Sequence, residues 1–140
     1  MDDTEIRIPP PEVNDLNRPY WEGLKAGALR FQRCSSCGHA WLPVRSECPH
    51  CLAMASGWEN ASGRAKLVSW VVYHTAYHAA YANRLPYIVA VVELAEGPRM
   101  ISNIVSADAT QLRIDMPLRL ALQQESGVVV ARFTPDADRP

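Results

Sequence analysis

Cys34-Ser35-Ser36-Cys37 and Cys48-Pro49-His50-Cys51, ten residues apart, hold all four cysteines of the chain. Each pair is short enough for one tight turn to aim both sulfurs at a common point. Two such turns facing each other present four thiolates tetrahedrally, at about 2.3 Å from a central zinc ion. Gly38 follows the first pair, where the turn calls for a residue that tolerates positive φ, and Pro49 sets φ inside the second. The spacing therefore predicts a metal site made of Cys34, Cys37, Cys48 and Cys51. Zinc is the default, with iron the runner-up because a lone iron also takes four thiolates. His39 and His50 flank the cysteines and are expected to face solvent or to hydrogen-bond sulfur rather than ligate.

The alternative use of four cysteines, disulfides, suits small secreted domains. The chain opens Met1-Asp2-Asp3-Thr4-Glu5-Ile6-Arg7-Ile8, with neither a basic leader nor an apolar stretch behind it. The expected setting is a reducing cytoplasm, where this spacing binds metal. No run approaches the ~18 apolar residues of a membrane span. With 48% hydrophobic residues in 140, the chain can bury a core in one domain or two small ones.

The net charge of −1 counts the cysteines as neutral, and four thiolates on a divalent ion make the loaded protein more negative still. That speaks against a broad electrostatic hold on nucleic acid. The charge is also uneven. Residues 1–16 carry five acids against one arginine, residues 17–66 seven bases against three acids, and residues 67–140 seven acids against six bases. This predicts a flexible acidic arm over 1–16, a helix plus metal ribbon over 17–57, a barrel over 58–135 and a polar tail over 136–140.

The coarse reading is mainly β. A short helix starts at Asn17 as cap, tolerates Pro19 in its first turn and ends before Gly27. Its Tyr20, Trp21 and Leu24 share one side, as core or as a surface for another chain. Ala28–Arg33 reads as a strand, with Leu29 and Phe31 opposite Arg30 and Gln32, and His39–Pro43 as its hairpin mate. Trp58–Gly63 reads as a turn into a long strand, Arg64–His74, with Ala65, Leu67, Val71 and Tyr73 on one side. Further strands are expected over Tyr87–Leu94, Met100–Val105, Leu118–Gln123 and Val128–Phe133. Helical turns over Ser106–Leu112, capped by Ser106 or Asp108, separate the third from the fourth. Five short strands with a small helix after the third is the order of an OB barrel, and an open five-stranded sheet fits the same order. The connection His74–Tyr87 holds two histidines, three tyrosines and Arg84, which makes it either a binding surface or a flap over the barrel mouth.

Residues 17–134 resemble the family of zinc-ribbon plus OB-fold proteins long catalogued as a domain of unknown function. The resemblance is carried by Pro19-Tyr20-Trp21-Glu22-Gly23-Leu24, by Leu29-Arg30-Phe31-Gln32-Arg33 leading into the first cysteine pair, and by Pro43-Val44-Arg45-Ser46-Glu47 leading into the second. It continues through Ser62-Gly63, Leu85–Leu94, Leu112–Leu118 and Arg132-Phe133-Thr134-Pro135. Asp115 stands where the family usually has Gly, at a position that calls for an unusual backbone angle. Val44 replaces a proline. The resemblance implies a rubredoxin-like ribbon joined to a five-stranded OB barrel. It also implies an accessory subunit of a thiolase, an aldolase, a hydratase or a related acyl-CoA enzyme, with acyl-CoA itself as a further candidate contact.

The residues agree with a non-catalytic role. There is no phosphate loop, no spare cysteine and no H-E-x-x-H pattern, and a site closed by four thiolates leaves no position for a reactive water. The other classes are a single-stranded nucleic-acid module, an iron electron carrier and a hydrolase built on His74 or His78. From charge and position, Arg33 and Arg45 are candidates to meet phosphates. Tyr77, Tyr81 and Arg84 are candidates to line the acyl or adenine side, and Tyr20 and Trp21 to meet a partner. Homo-oligomerisation is open.

Overall fold

Proline's fixed φ suits a first helical turn, and in the computed structural model, which describes residues 9–137, helix α1 runs Arg18–Lys25 with Pro19 there. Gly27 leaves the helix at φ +94°. Asn17 is the capping residue by position, yet its side chain makes no cap bond, because its backbone is already helical. Its amide turns back instead: Oδ1 accepts from Asn14 N at 2.8 Å and Nδ2 donates to Glu12 O at 2.9 Å. Expectations placed on residues 1–8 and 138–140 lie outside the described residues.

Strands β1 (Arg30–Cys34), β2 (Ala40–Trp41) and β3 (Ser56–Asn60) form the ribbon sheet in the order β2-β1-β3. β3 falls partly where a turn was expected: Trp58, Glu59 and Asn60 pair with Gln32, Phe31 and Arg30 before the chain turns at Ala61–Gly63. Gln32 also departs from the simple alternation, being as buried as its neighbour Phe31. A buried amide needs partners, and Gln32 finds them on the backbone of the loop between the cysteine pairs. Its Nε2 donates to Arg45 O at 2.8 Å and its Oε1 accepts from Arg45 N at 2.9 Å.

The remaining strands are β4 (Arg64–Tyr73), β5 (Tyr87–Leu94), β6 (Arg99–Ile104), β7 (Pro117–Glu125) and β8 (Val128–Pro135). They close a barrel in the order β4-β5-β6-β8-β7, so the open-sheet alternative falls away. The alternation expected along β4 reverses midway. Leu67 pairs with Val92 and Ser69 with Val91, which leaves Val68 as a bulge. Beyond it Trp70 and Val72 pack against the core while Val71 is exposed. The helical turn after β6 is a 3-10 turn, Ala109–Gln111, with a capping box in which Asp108 Oδ1 accepts from Thr110 N and Asp108 N donates to Gln111 Oε1. Asp115 sits at φ 64°, the angle its place in the sequence implied.

One core serves both halves. Leu24 and Leu29, from α1 and the chain just before β1, are buried with Leu67, Val92, Leu118 and Phe133 of the barrel. α1 lies against both β8 and β1. Tyr20 and Trp21 pack on the same core edge to face, 5.1 Å between ring centroids.

Candidate metal centre and partner surface

The two cysteine turns are the same structure built twice. Ser36 N and Cys37 N donate to Cys34 Sγ at 3.3 and 3.4 Å; His50 N and Cys51 N donate to Cys48 Sγ at the same distances. Gly38 N reaches Cys34 O and Leu52 N reaches Cys48 O. Cys34 N reaches His39 O and Cys48 N reaches Ala53 O. The residue after each pair is left-handed: Gly38 at φ 80° and, without glycine's licence, Leu52 at φ 66°. Nothing in the second pair's sequence announces that angle.

The four sulfurs are unbonded and lie within 4.8 Å of one another, with Cys34–Cys51 at 3.5 Å and Cys37–Cys48 at 3.6 Å. Four sulfurs on 2.3 Å bonds to a tetrahedral ion stand about 3.8 Å apart, so the set fits one metal with little movement. Cys34 and Cys48 are buried, Cys37 and Cys51 exposed. The N–H of Cys37, with that of Ser36, outweighs desolvation and lowers the Cys34 thiol to about 6. Desolvation opposes the Cys48 thiolate, but the N–H groups of Cys51 and His50 hold that thiol below its usual value. The N–H of His39 favours the Cys37 thiolate. Desolvation and bonds to the sulfurs of Cys48, Cys51 and Cys34 win, and push the thiol up to about 12. Cys51 is raised as well: the N–H of Ala53 opposes the rise, and the bond to Cys34 and desolvation drive it. One sulfur of each pair is thus shifted toward the thiolate and the other toward the thiol. Trp41 Nε1, buried in the cluster with Cys34 and Cys48, has no hydrogen-bond partner; such a dipole is better placed beside anionic sulfur than beside a neutral thiol.

His39 and His50 are exposed and stack on each other, centroids 5.5 Å apart, with Trp41 continuing the stack at 6.4 Å from His39. Arg33 is committed within the ribbon, pairing with Glu59 at 2.8 Å and donating to Gly38 O at 2.9 Å. Arg45 is exposed, its backbone held by Gln32, and its guanidinium has no partner among the described residues.

The tyrosine loop folds around a short 3-10 helix, Ala79–Arg84, capped by His78 Nδ1, which accepts from Ala80 N at 3.0 Å. Tyr73 meets Tyr77 at 5.8 Å and Tyr87 at 5.0 Å, and Tyr87 meets Tyr81 at 5.2 Å. Arg84 lies over the Tyr81 ring and pairs with Glu125 at 3.2 Å. Glu125, buried, also takes a two-pronged bond from Arg132, at 3.1 and 2.9 Å. Tyr77, Tyr81 and Arg84 are therefore gathered in one place, with Tyr77 82% exposed. Glu125 and Arg132, which anchor the loop, sit seven residues apart on the β7–β8 hairpin turned at Ser126-Gly127, and what the sequence does not display is that Arg84 of the distant loop joins them. Tyr20 and Trp21 line a different hollow, with Leu42, Pro43, Val44, Met100 and Ile101. Burial raises the Tyr20 hydroxyl, tempered by the charge of Arg132.

Two family models match in tandem. The rubredoxin-like zinc ribbon domain of ChsH2 matches residues 21–54 and the C-terminal OB-fold domain of ChsH2 matches residues 58–123. A DUF35 domain-containing scaffold protein of Methanothermobacter thermautotrophicus is 31% identical over 111 residues, covering 75% of this chain and 83% of that one. A probable enoyl-CoA hydratase alpha subunit of Thermomonospora curvata is 35% identical over 112 residues, covering 80% of this chain. The chain spans only 34% of that relative's length. Among solved structures, a chain of an Ltp2-ChsH2(DUF35) aldolase superposes with a TM-score of 0.79 at 31% identity, covering 90% of this chain and 98% of that one. With the paired cysteine turns and the closed barrel in place, these matches establish that the chain belongs to the DUF35 family of zinc-ribbon and OB-fold proteins.

Proposed function

We propose that this chain is a non-catalytic zinc-binding subunit that docks on an acyl-CoA enzyme of the hydratase, aldolase or thiolase kind. The observation that carries the proposal is the closed set of four sulfurs. With Cys34, Cys37, Cys48 and Cys51 all on one ion, no coordination position remains for water or substrate, so the metal's work is to hold the ribbon in shape. Such an ion contributes on the order of 10–16 kcal/mol of apparent binding energy to modules of this size, far more than the small ribbon sheet supplies unaided. The names of the relatives, scaffold proteins and hydratase subunits, support the docking role. No helix of the described residues is long and apolar enough to cross a membrane, and the cytoplasm is the proposed compartment.

Contact with the thioester is assigned to the tyrosine loop, where exposed Tyr77 and the Tyr81–Arg84 pair offer ring faces and a cation. Arg33, spent on Glu59, is withdrawn from that role; Arg45 remains available. A nucleic-acid strand would need a row of free cations, and Arg33, Arg84 and Arg132 are already paired with carboxylates.

The test is purification of the tagged chain from its own host, followed by native mass spectrometry and elemental analysis. The expected result is one zinc per chain and a stoichiometric acyl-CoA enzyme whose turnover depends on the complex. One iron per chain, or turnover of a CoA thioester by the isolated chain, overturns the proposal.

A further inference from the structure

The loop that joins β4 to β5 is held to the rest of the chain at few points. None of residues 74–86 is buried. Tyr73 and Tyr87, the strand residues at its two ends, pair on one rung, so the loop leaves and returns at one place. Its ring contacts, Tyr77 with Tyr73 and Tyr81 with Tyr87, reach only those end residues. Among the described hydrogen bonds, ion pairs and ring contacts, a single one carries the loop to another strand: Arg84 to Glu125 of β7, at 3.2 Å. A segment with so few buried contacts opens locally at small cost.

That one tie can part without harm to the barrel. Glu125 is 7% exposed, and a buried carboxylate stripped of its partners is strongly destabilising. Arg132 satisfies it alone, with Nε on Oε2 at 3.1 Å and Nη2 on Oε1 at 2.9 Å. Arg84 is a third donor, placed on the oxygen that Arg132 Nη2 already holds. Its departure leaves no buried charge unpaired, and its own guanidinium keeps the Tyr81 ring 5.5 Å away within the loop.

Arg84 and Tyr81 also line a hollow of about 390 Å³, which Gln123 and Gln124 of β7, Arg132 of β8 and Ser106 line from the barrel. The charged residues around it are Arg84, Arg132 and Glu125, two cations against one carboxylate. Arg84 uses one nitrogen on Glu125, and the side chains of Gln123, Gln124 and Ser106 have no partner among the described hydrogen bonds. One surplus positive charge ringed by neutral donors matches a single phosphate group, whose oxygens accept from guanidinium and amide together. It does not match a nucleic-acid strand, which needs many such cations.

We propose that this hollow is a phosphate site gated by the tyrosine loop, with Arg84 on Glu125 as the latch. The loop opens on its Tyr73–Tyr87 hinge when Arg84 parts from Glu125, while Arg132 stays on the carboxylate. It closes again over the bound phosphate, which takes the unused nitrogens of Arg84 and so holds the loop down more firmly than Glu125 does by itself. Only the source of the phosphate, a CoA thioester, rests on the reading of this loop as an acyl-CoA contact. The latch and the charge it guards do not.

The test uses the full metal-loaded chain and follows chymotryptic cleavage after Tyr77 and Tyr81, with urea unfolding alongside. Arg84→Gln is expected to speed cleavage about 10-fold, the effect of one lost charge-assisted hydrogen bond on the open population, and to leave the urea midpoint unchanged. Arg132→Gln is expected to lower the midpoint, since it strips the buried carboxylate of its main partner. Arg113→Gln, an exposed arginine outside the hollow, is expected to change neither. Pyrophosphate is expected to slow cleavage of the unaltered chain in a saturable way, and not that of Arg84→Gln. Unchanged cleavage in Arg84→Gln, or a midpoint lowered as far as in Arg132→Gln, overturns the latch. Equal protection by sodium chloride at matched ionic strength is screening alone and overturns the phosphate site. Protection by pyrophosphate but not by coenzyme A supports latch and site while removing the thioester from this loop. Protection by coenzyme A with no effect of Arg84→Gln does the reverse.

Discussion

Leu52 and Gly38 occupy the same place in two turns that match bond for bond, and only one of them is suited to it. A non-glycine residue in the left-handed region costs about 1–2 kcal/mol. Leu52 is 67% exposed, so burial returns little of that. Leu52→Gly is expected to stabilise the metal-loaded protein by up to about 1 kcal/mol, the relief of strain exceeding the added freedom of the unfolded chain. Gly38→Ala, where a new Cβ meets nothing within 4 Å, isolates the backbone cost, an expected loss of about 1 kcal/mol. Urea unfolding of the two variants at fixed metal concentration measures both. A destabilised Leu52→Gly would mean that the leucine side chain contributes to the fold despite its exposure. The same scale shows what sequence can convey. Asp115 was readable as a left-handed position because it departs from a glycine the family keeps, whereas Leu52 carries no such mark. Gln32 looked like the polar half of an alternating strand, and its burial depends on the Arg45 backbone arriving from thirteen residues away.

Among the elements, the paired cysteine turns make a statement about pH. Metal ligation needs four thiolates, yet Cys37 and Cys51 have raised values and hold their protons at neutral pH in the metal-free chain. Binding must displace those protons, so affinity falls as pH falls, by on the order of 100-fold per pH unit when two protons leave. Cys34, lowered to about 6, adds a further proton only as pH drops toward that value. Competition against a chromophoric chelator at pH 7 and pH 8 measures the slope, and a pH-independent affinity would contradict the assignment of protons. The cysteine spacing made this centre legible because the chemistry is local: two residues between ligands can close only one kind of turn. The tyrosine loop was legible as a cluster but not as a structure. Its anchor is Glu125 on β7, and while Arg132 reaches that carboxylate across a local hairpin, the pairing with Arg84 is set by tertiary placement rather than by neighbours in sequence.

Across the whole molecule, ribbon and barrel are joined through α1, and the joint was only half visible in the chain. Helical spacing put Tyr20, Trp21 and Leu24 on one side, but periodicity does not say which neighbour receives that side. The structure assigns it to the barrel, where Leu24 and Leu29 complete a core that also contains Phe133 and Val92. The two halves should therefore lose stability together. Leu24, 1% exposed, leaves a cavity when cut back to alanine, an expected loss of about 3 kcal/mol. That loss is expected in the barrel's unfolding, followed through exchange of the Val92 and Phe133 amides, as well as in the ribbon's. Removing the metal tests the same joint from the other end. Once the sulfurs are released, the ribbon sheet loses its main constraint. Leu29, which reaches the barrel core from the residue before β1, then loses the strand that holds it there. Chelation should thus speed exchange at Val92 and Phe133, not only at Cys34 and Trp41. If barrel amides keep their protection while the ribbon melts, the barrel core does not depend on the metal and α1 couples the two halves only weakly.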